Sequence, residues 1–394
     1  MTPRLEGKKL SDLRVLIVGN NNTGSAPIRA YRFLRERRLA KRVTFIGHPL
    51  AEERVRRSQL AQFESATNQE HERVIQREGS LASLSYAVDI LVTLRLLVSA
   101  GSRYDLYIGS SPHLGLLGLI LRALGVVRHT VFWTVDYFPR RFGNPWLNNL
   151  YLKLDEICVI RSDYAWNLTS AMGEARSERG IRTEDGRMYT VPHPIEDREL
   201  RSVSAEEAEP DALLYSGLLK PEYGFDLLLA ALPLVAEKRP GVKVTITTYG
   251  EIPDGMERAL EQRGLRGRFH ILGYVADDDE YSRIVQSHRL GLATYRPSQQ
   301  AYKRYADVSR AKSYLARGLP VIITRVPPIA VEIERQGAGI VIDYDKEQLA
   351  EAILKLLSDD EFHRRCQENA ISLAEQYRAD TVFSSAFQHM GIEV

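Results

Sequence analysis

The sequence predicts an α/β protein made of two doubly wound domains. Three observations predict it. Short apolar runs alternate with helical segments along the whole chain, which is the pattern of a parallel sheet with crossover helices. The pattern stops at RMYTVPHPIEDRELRSVSAEEAEP, where prolines and charges replace apolar residues, and then restarts. The 394 residues suffice for two domains of ordinary size. The expected domains are 1–196 and 197–376, with 377–394 left as a final helix.

In the first half, LRVLIVG is a buried strand, GNNNTGSAP a glycine-bearing turn and APIRAYRFLRER a helix. RVTFIG is the next strand. Residues 50–100 read as mostly helical, an insertion with a charged, Gln-rich middle. YDLYIGSS, TVFWTVD and EICVIRSD follow as further strands. The second half brings ALLYSGLL, KVTITTYG, RFHILGYV, RLGLATY, LPVIITR and AGIVIDY, each a short strand followed by helix or turn. Ligands in such sheets bind outside the carboxyl ends of the strands, so the cleft between the two sheets is the expected site.

Composition narrows the class. Apolar residues make up 44% and charged residues 26%, as in globular enzymes. The polar start MTPRLEGKKL leads into a strand, so no export signal is expected. The most apolar stretches, SYAVDILVTLRLLVSA and LGLLGLILRALGVV, carry Asp89, Arg95 or Arg122 and are too short to span a bilayer. Cys158 and Cys366 lie far apart, which argues for a reducing, cytoplasmic compartment.

The net charge of +2 hides an asymmetry. Residues 1–200 carry 29 Lys and Arg against 22 Asp and Glu, and the remainder 24 against 29. The basic excess is densest in IRAYRFLRERRLAKR, Ile28 to Arg42. That run reads as a solvated helix face, an anionic-lipid contact or a nucleic-acid contact. The solvated face is the favoured reading; no RNA-binding signature accompanies the run, so nucleic acid is not an expected partner, and a peripheral contact with an anionic membrane stays open as the alternative.

Chemistry concentrates in YADVSRAKSYLARGLPVI, Tyr305 to Ile322. Asp307 or Ser309 can cap a helix running to Ala316, and Gly318 can end it in a left-handed conformation. Free N–H groups of the first turn favour an anion, and Arg310 and Lys312 add positive charge. The stretch reads either as a phosphate or diphosphate site or as an ordinary amphipathic helix.

Elsewhere, Gly250 in TTYGEIPDG allows close approach of backbone to a ligand. Tyr249 or Tyr274 either stacks on a base or packs on the sheet. The loop Asn21, Asn22, Thr23, Gly24, Ser25 offers many donors and suits unusual backbone angles. Asp136 at the end of TVFWTVD reads as a base, a cation stabiliser or a helix cap. His113 either orients an acceptor hydroxyl or is a buried turn histidine. His193 reads as structural. Asp277, Asp278 and Asp279 suit the first turn of a helix, and no His/Cys cluster suggests zinc, so no metal is expected.

Four pieces of the second half, in order, resemble the nucleotide-sugar domain of GT-B glycosyltransferases. They are YSGLLKPEYGFDLLLAAL, TTYGEIPDG, FHILGYVADDDEYSRIVQSHRLGLATYRP, and YADVSRAKSYLARGLPVI with PIAVEIERQGAGIVI. The group resembled is the broad retaining one, glycosyltransferase family 4-like or glycosyl transferases group 1. The resemblance implies two Rossmann-like domains, a final helix QYRADTVFSSAFQHM crossing back onto the first domain, and sugar transfer from a nucleotide-diphosphate sugar to an acceptor hydroxyl. It implies retention, no cofactor and no metal, and an acceptor that is a glycan or lipid-linked. It assigns donor binding to Gly217, Gly250, Glu251, Tyr274, Val308, Ser309, Arg310, Lys312 and Ser313, with Lys220 as a substitute cation, and it places the Asn21–Ser25 loop beside the acceptor.

The chain departs from the family at four places. Leu218 and Tyr223 stand where an arginine and a lysine usually meet the diphosphate. Ser313 stands where a glutamate holds the ribose, and Tyr305 where its partner glutamate lies. These departures support a rival, a non-catalytic subunit of the same fold. A sugar-nucleotide epimerase is the other rival.

Overall fold

The computed structural model describes residues 5–20, 24–49, 57–76, 85–100, 103–184, 186–200, 208–248, 252–298 and 302–394. The chain forms two units. One runs to Pro194 and takes in Ala379–Val394, and the other is Ile195–Arg378.

The first unit opens with Lys8–Lys9 (β1) and Arg14–Asn20 (β2), then Ala26–Glu36 (α1) and Arg42–His48 (β3). Val15 to Val18 are all buried, as a central parallel strand requires on both faces. Helix α1 turns Ile28, Tyr31, Phe33 and Leu34 inward. The arginines at its end and just past it meet partners of this chain. Arg35 lies 3.5 Å from Glu70, Arg37 2.5 Å from Asp380, and Arg38 donates to Asn68. The basic run is thus in good part a face of paired surface charges.

Residues 50–100 differ from the sequence reading. Arg57–Glu64 (β4) and Gln69–Gln76 (β5) form an antiparallel hairpin on β3, and only Ser85–Ala100 (α2) is helical among the described residues there. Leu60 and Phe63 turn into the core, while β5 is charged and exposed, which protects the sheet edge. Tyr104–Ser110 (β6), Pro112–Ala123 (α3) and Val127–Thr134 (β7) follow.

EICVIRSD is not a strand. It ends Pro145–Arg161 (α4), which is opened by Asn144, whose side chain accepts from the N–H groups of Trp146 and Leu147. A short apolar run reads alike as buried strand or buried helix, and the Asn-Pro start signal decides it. The strand is Tyr164–Asn167 (β8), followed by Ser170–Glu178 (α5) and Met188–Thr190 (β9). The strand order is β5-β4-β3-β2-β6-β7-β8-β9.

The second unit is a fully parallel sheet. Its strands are Ala212–Ser216 (β10), Lys243–Thr247 (β11), Phe269–Gly273 (β12), Leu290–Ala293 (β13), Val321–Thr324 (β14) and Gly339–Ile342 (β15). Their order is β12-β11-β10-β13-β14-β15. Helices Phe225–Lys238 (α6), Met256–Gln262 (α7), Asp278–Gln286 (α8), Ser309–Leu315 (α9), Ile329–Gln336 (α10), Lys346–Ser358 (α11) and Asp360–Glu375 (α12) complete it, and apolar clusters pack around the sheet.

The last helix, Ala379–His389 (α13), belongs to the first unit. Phe383 packs on Phe33 and Trp133, and Phe387 on Trp166. The final strand, Ile392–Glu393 (β16), pairs in parallel with β1.

Candidate functional site

Each sheet reverses its strand order once, and that is where a doubly wound sheet opens a crevice. In the first unit the reversal falls between β2 and β6, and in the second between β10 and β13.

At the second reversal the chain leaves β10 through Gly217, whose N–H donates to the Thr247 carbonyl at 2.7 Å. Its φ is +130°, and a Cβ there would overlap a terminal nitrogen of Arg310. Arg310 rises from α9 and is 9% exposed. Its guanidinium carbon lies 4.7 Å from the Tyr215 ring centroid, 5.4 Å from Tyr223 and 5.2 Å from Tyr295. Neither terminal nitrogen has a hydrogen-bond partner among the described residues. Aromatic faces offset part of the cost of burying this cation, and the N–H groups still demand an acceptor. Tyr215 is held in place by donating to the carbonyls of Leu218 and Tyr223. Burial pushes its phenol up to about 12, and Arg310 opposes that shift.

The structure corrects one expectation about this stretch and gives two of its residues partners. Helix α9 starts at an uncapped Val308, so neither Asp307 nor Ser309 caps it. Asp307 accepts instead from Lys312 at 2.6 Å, with both side chains 3% exposed. Lys312 therefore brings no unbalanced charge to a ligand, and its ammonium also lies 3.9 Å from the Tyr377 ring centroid. Ser313 is engaged as an acceptor. Its Oγ accepts from Arg317 at 3.0 Å, and Arg317 also donates to Ser282.

Gly318 is left-handed, with φ +68°. Ser309, Lys220 and Tyr274 are exposed. Asp277 caps α8 by accepting from the Glu280 N–H at 2.7 Å, with Asp278 and Asp279 in the first turn. Among the described residues no group of three or more His, Cys, Asp or Glu side chains is placed to hold a metal. Tyr249, Gly250 and Glu251 lie outside the described residues, as do Asn21, Asn22 and Thr23.

At the first reversal Gly19 packs so tightly that a Cβ would lie 2.7 Å from the Ser110 hydroxyl. Ser25 donates to the Asn20 carbonyl, and the Gly24 carbonyl is 2.6 Å from His193 Nε2, so the linker histidine anchors this loop. His113 stands in the first turn of α3. Its Nε2 is 3.3 Å from Asp89 Oδ2, and its ring centroid 4.5 Å from that of Tyr86. On the other side of Asp89 lies His48, held by Ser58 at 3.0 Å and Thr93 at 2.8 Å. Asp136 is exposed two residues past β7, and α4 is capped by Asn144 rather than by it.

Comparison with known proteins bears on the second unit first. Residues 210–359 match the model of the Glycosyl transferases group 1 family. A stretch of 184 residues is 27% identical to an uncharacterized glycosyltransferase of Methanocaldococcus jannaschii. It covers 46% of this chain and 45% of that protein. A stretch of 209 residues is 26% identical to the poly(glycerol-phosphate) alpha-glucosyltransferase of Bacillus subtilis, covering 50% of this chain and 28% of that protein. The match thus spans less than half the length of either relative.

Among solved structures, sucrose-phosphate synthase of Thermosynechococcus elongatus aligns with a TM-score of 0.71 at 14% identity, over 95% of this chain and 98% of that one. HepE of Anabaena, solved in complex with UDP, aligns with a TM-score of 0.67 at 14% identity, over 95% and 99%. The fold is GT-B.

Sequence reasoning missed Tyr215, Tyr295, Lys303 and Arg317. Arg317 is four residues beyond Ser313, a helical spacing that could have disclosed the contact. Tyr295 follows β13 by two residues, at the carboxyl end where ligands bind. Nothing local marks Tyr215 or Lys303.

Proposed function

We propose that the protein transfers a sugar from a nucleoside-diphosphate sugar to an acceptor hydroxyl of a glycan, polysaccharide or lipid-linked chain. The observation that carries this reading is Arg310, a buried guanidinium with two unpartnered nitrogens under Gly217 at the strand reversal. A leaving diphosphate supplies the anion that this cation lacks, and a positive field already in place lowers the barrier as charge develops. Cationic side chains then do the work without a metal. HepE, of the same fold, binds UDP and UDP-glucose in its solved complexes. The Bacillus subtilis relative is named an alpha-glucosyltransferase, and an alpha-linked product made from an alpha-linked nucleotide sugar is retention, which supports that outcome here.

Titration with UDP, GDP, ADP and dTDP, without added metal, tests the reading. One should bind with micromolar affinity, and Arg310→Met should weaken it about tenfold or more, roughly 1.4 kcal/mol per decade. Binding of none of the four overturns it. One observation would then favour a non-catalytic GT-B subunit, namely that Ser313 is already engaged by Arg317 where the family's ribose-binding carboxylate stands. Product mass separates transfer from epimerisation, which leaves the donor's mass unchanged.

The same reading places the protein in the cytoplasm, since both cysteines are buried, unbridged thiols. It sets the first unit against an anionic bilayer. Leu91, Leu94 and Val98 are exposed along one stripe of α2 around Arg95, and Val98 is 84% exposed. An apolar stripe carrying a cation, on a half of the chain rich in Lys and Arg, fits an anionic lipid surface. No described helix is long and apolar enough to cross a membrane. Flotation with anionic phospholipid vesicles should carry the protein at low salt, less so at high salt, and Leu91→Asp with Val98→Asp should abolish it. Failure to float at low salt removes the membrane from the reading.

A further inference from the structure

The stretch Tyr302 to Lys312 carries four cations, and the structure sorts them. Lys312 is neutralised by Asp307. Arg304 is exposed, with its guanidinium 5.9 Å from the Tyr305 ring centroid. Arg310 is buried beneath Gly217. Lys303, on the single 3-10 turn Tyr302–Arg304, is half-buried. Its ammonium lies 4.5 Å from the Tyr223 ring centroid, 4.5 Å from Tyr302 and 5.6 Å from Tyr295.

Two of those rings, Tyr223 and Tyr295, are the ones that also carry Arg310. Two like charges therefore share two aromatic side chains. Each ring face attracts each cation, but the cations repel one another, and an anion between or beside them relieves that repulsion. The platform is fixed before any ligand arrives. The Tyr223 and Tyr302 hydroxyls are 3.2 Å apart, and Tyr223 is tied to Tyr215 through its carbonyl. The cluster sits where β10 and β13 end side by side.

We propose that Lys303 is the second cationic contact for the donor's diphosphate, held on the tyrosine platform that it shares with Arg310. This rests on the nucleoside-diphosphate reading above. The chemistry suits a lysine. Its ammonium is a compact charge with three donors on a flexible stem, able to leave a ring face for a phosphate oxygen while the aliphatic part stays packed. Positions 218 and 223 bring no charge to this loop, and charge reaches it instead from Lys303 and Arg310.

The test is calorimetric titration of UDP and UMP, or of the diphosphate and monophosphate of whichever base binds. It uses the full chain, Lys303→Met, Lys303→Arg and Arg304→Met. Lys303→Met keeps the apolar stem and should weaken the diphosphate tenfold or more, about 1.4 kcal/mol, while weakening the monophosphate less than threefold. Lys303→Arg should recover part of the loss, and Arg304→Met should change neither. Unchanged diphosphate affinity in Lys303→Met overturns the inference. Equal losses for both nucleotides also overturn it, because they would make Lys303 a support for the platform and not a phosphate contact. If the wild-type chain binds no nucleotide at all, the nucleoside-diphosphate reading itself fails, and this inference with it.

Discussion

Arg176 in the first unit and Arg310 in the second are both buried at the carboxyl ends of parallel strands, and their surroundings are opposite. Arg176 is fully buried and donates to both oxygens of Asp155, to Thr134 at the end of β7 and to Asn167 at the end of β8. Arg310 has three tyrosine faces and, at its terminal nitrogens, no described acceptor. One charge is closed on a carboxylate of its own unit and holds strand ends together. The other meets ring faces, and its terminal N–H groups find no acceptor among the described residues. A buried cation therefore says little until its acceptors are counted.

The sharpest way to break this comparison is to remove what each arginine depends on. Asp155→Ala strands Arg176 in the core and should cost about 3–5 kcal/mol of stability, read from denaturant unfolding. Arg310→Met removes a charge that has no carboxylate to orphan, so stability should move by less than about 1 kcal/mol while nucleotide affinity falls. Equal destabilisation by the two would make Arg310 a structural residue like Arg176.

A smaller effect tests the contact above Arg310. Gly217→Ala forces a left-sided backbone angle on alanine and drives its Cβ into the guanidinium, at about 1–3 kcal/mol. Gly143→Ala, where a Cβ meets nothing within 4 Å, should stay within about 0.5 kcal/mol. Combining Gly217→Ala with Arg310→Met should cost less than the sum, since the clash partner is gone. Additive costs would mean that backbone strain alone explains the glycine.

Most of the fold was legible because parallel strands read as unbroken apolar runs, and all six strands of the second unit lie in runs the sequence marks. The hairpin at 57–76 was not legible. Its inner strand alternates imperfectly and its outer strand is an edge, so neither shows a clean period. The motif around Arg310 told that cations gather there, but not which were spent. Lys312 and Arg310 stand two residues apart, and only the folded chain shows Asp307 turned onto the lysine and three tyrosines onto the arginine. Of those rings, Tyr215 and Tyr223 come from positions nearly a hundred residues earlier, and no local spacing could have announced them.

The mildest test follows each unit through its own thiol. Burial, first of all, pushes Cys158 up to about 12 and Cys366 up to about 11. An exposed thiol titrates near 8.5, so both raised values favour the protonated, folded state. That stabilisation is complete below the unfolded value and is lost as pH rises through about 11 at Cys366 and about 12 at Cys158. At pH 8 neither folded thiol should react with iodoacetamide except by opening of its unit, so labelling rates report local stability. Cys158 lies on α4, three residues from Asp155. Asp155→Ala should therefore speed labelling of Cys158 far more than of Cys366, and Arg310→Met should leave both rates nearly unchanged. Rapid labelling of Cys366 in Arg310→Met would show that the second unit leans on its unpartnered cation after all, and the contrast between the two arginines would shrink to one of degree.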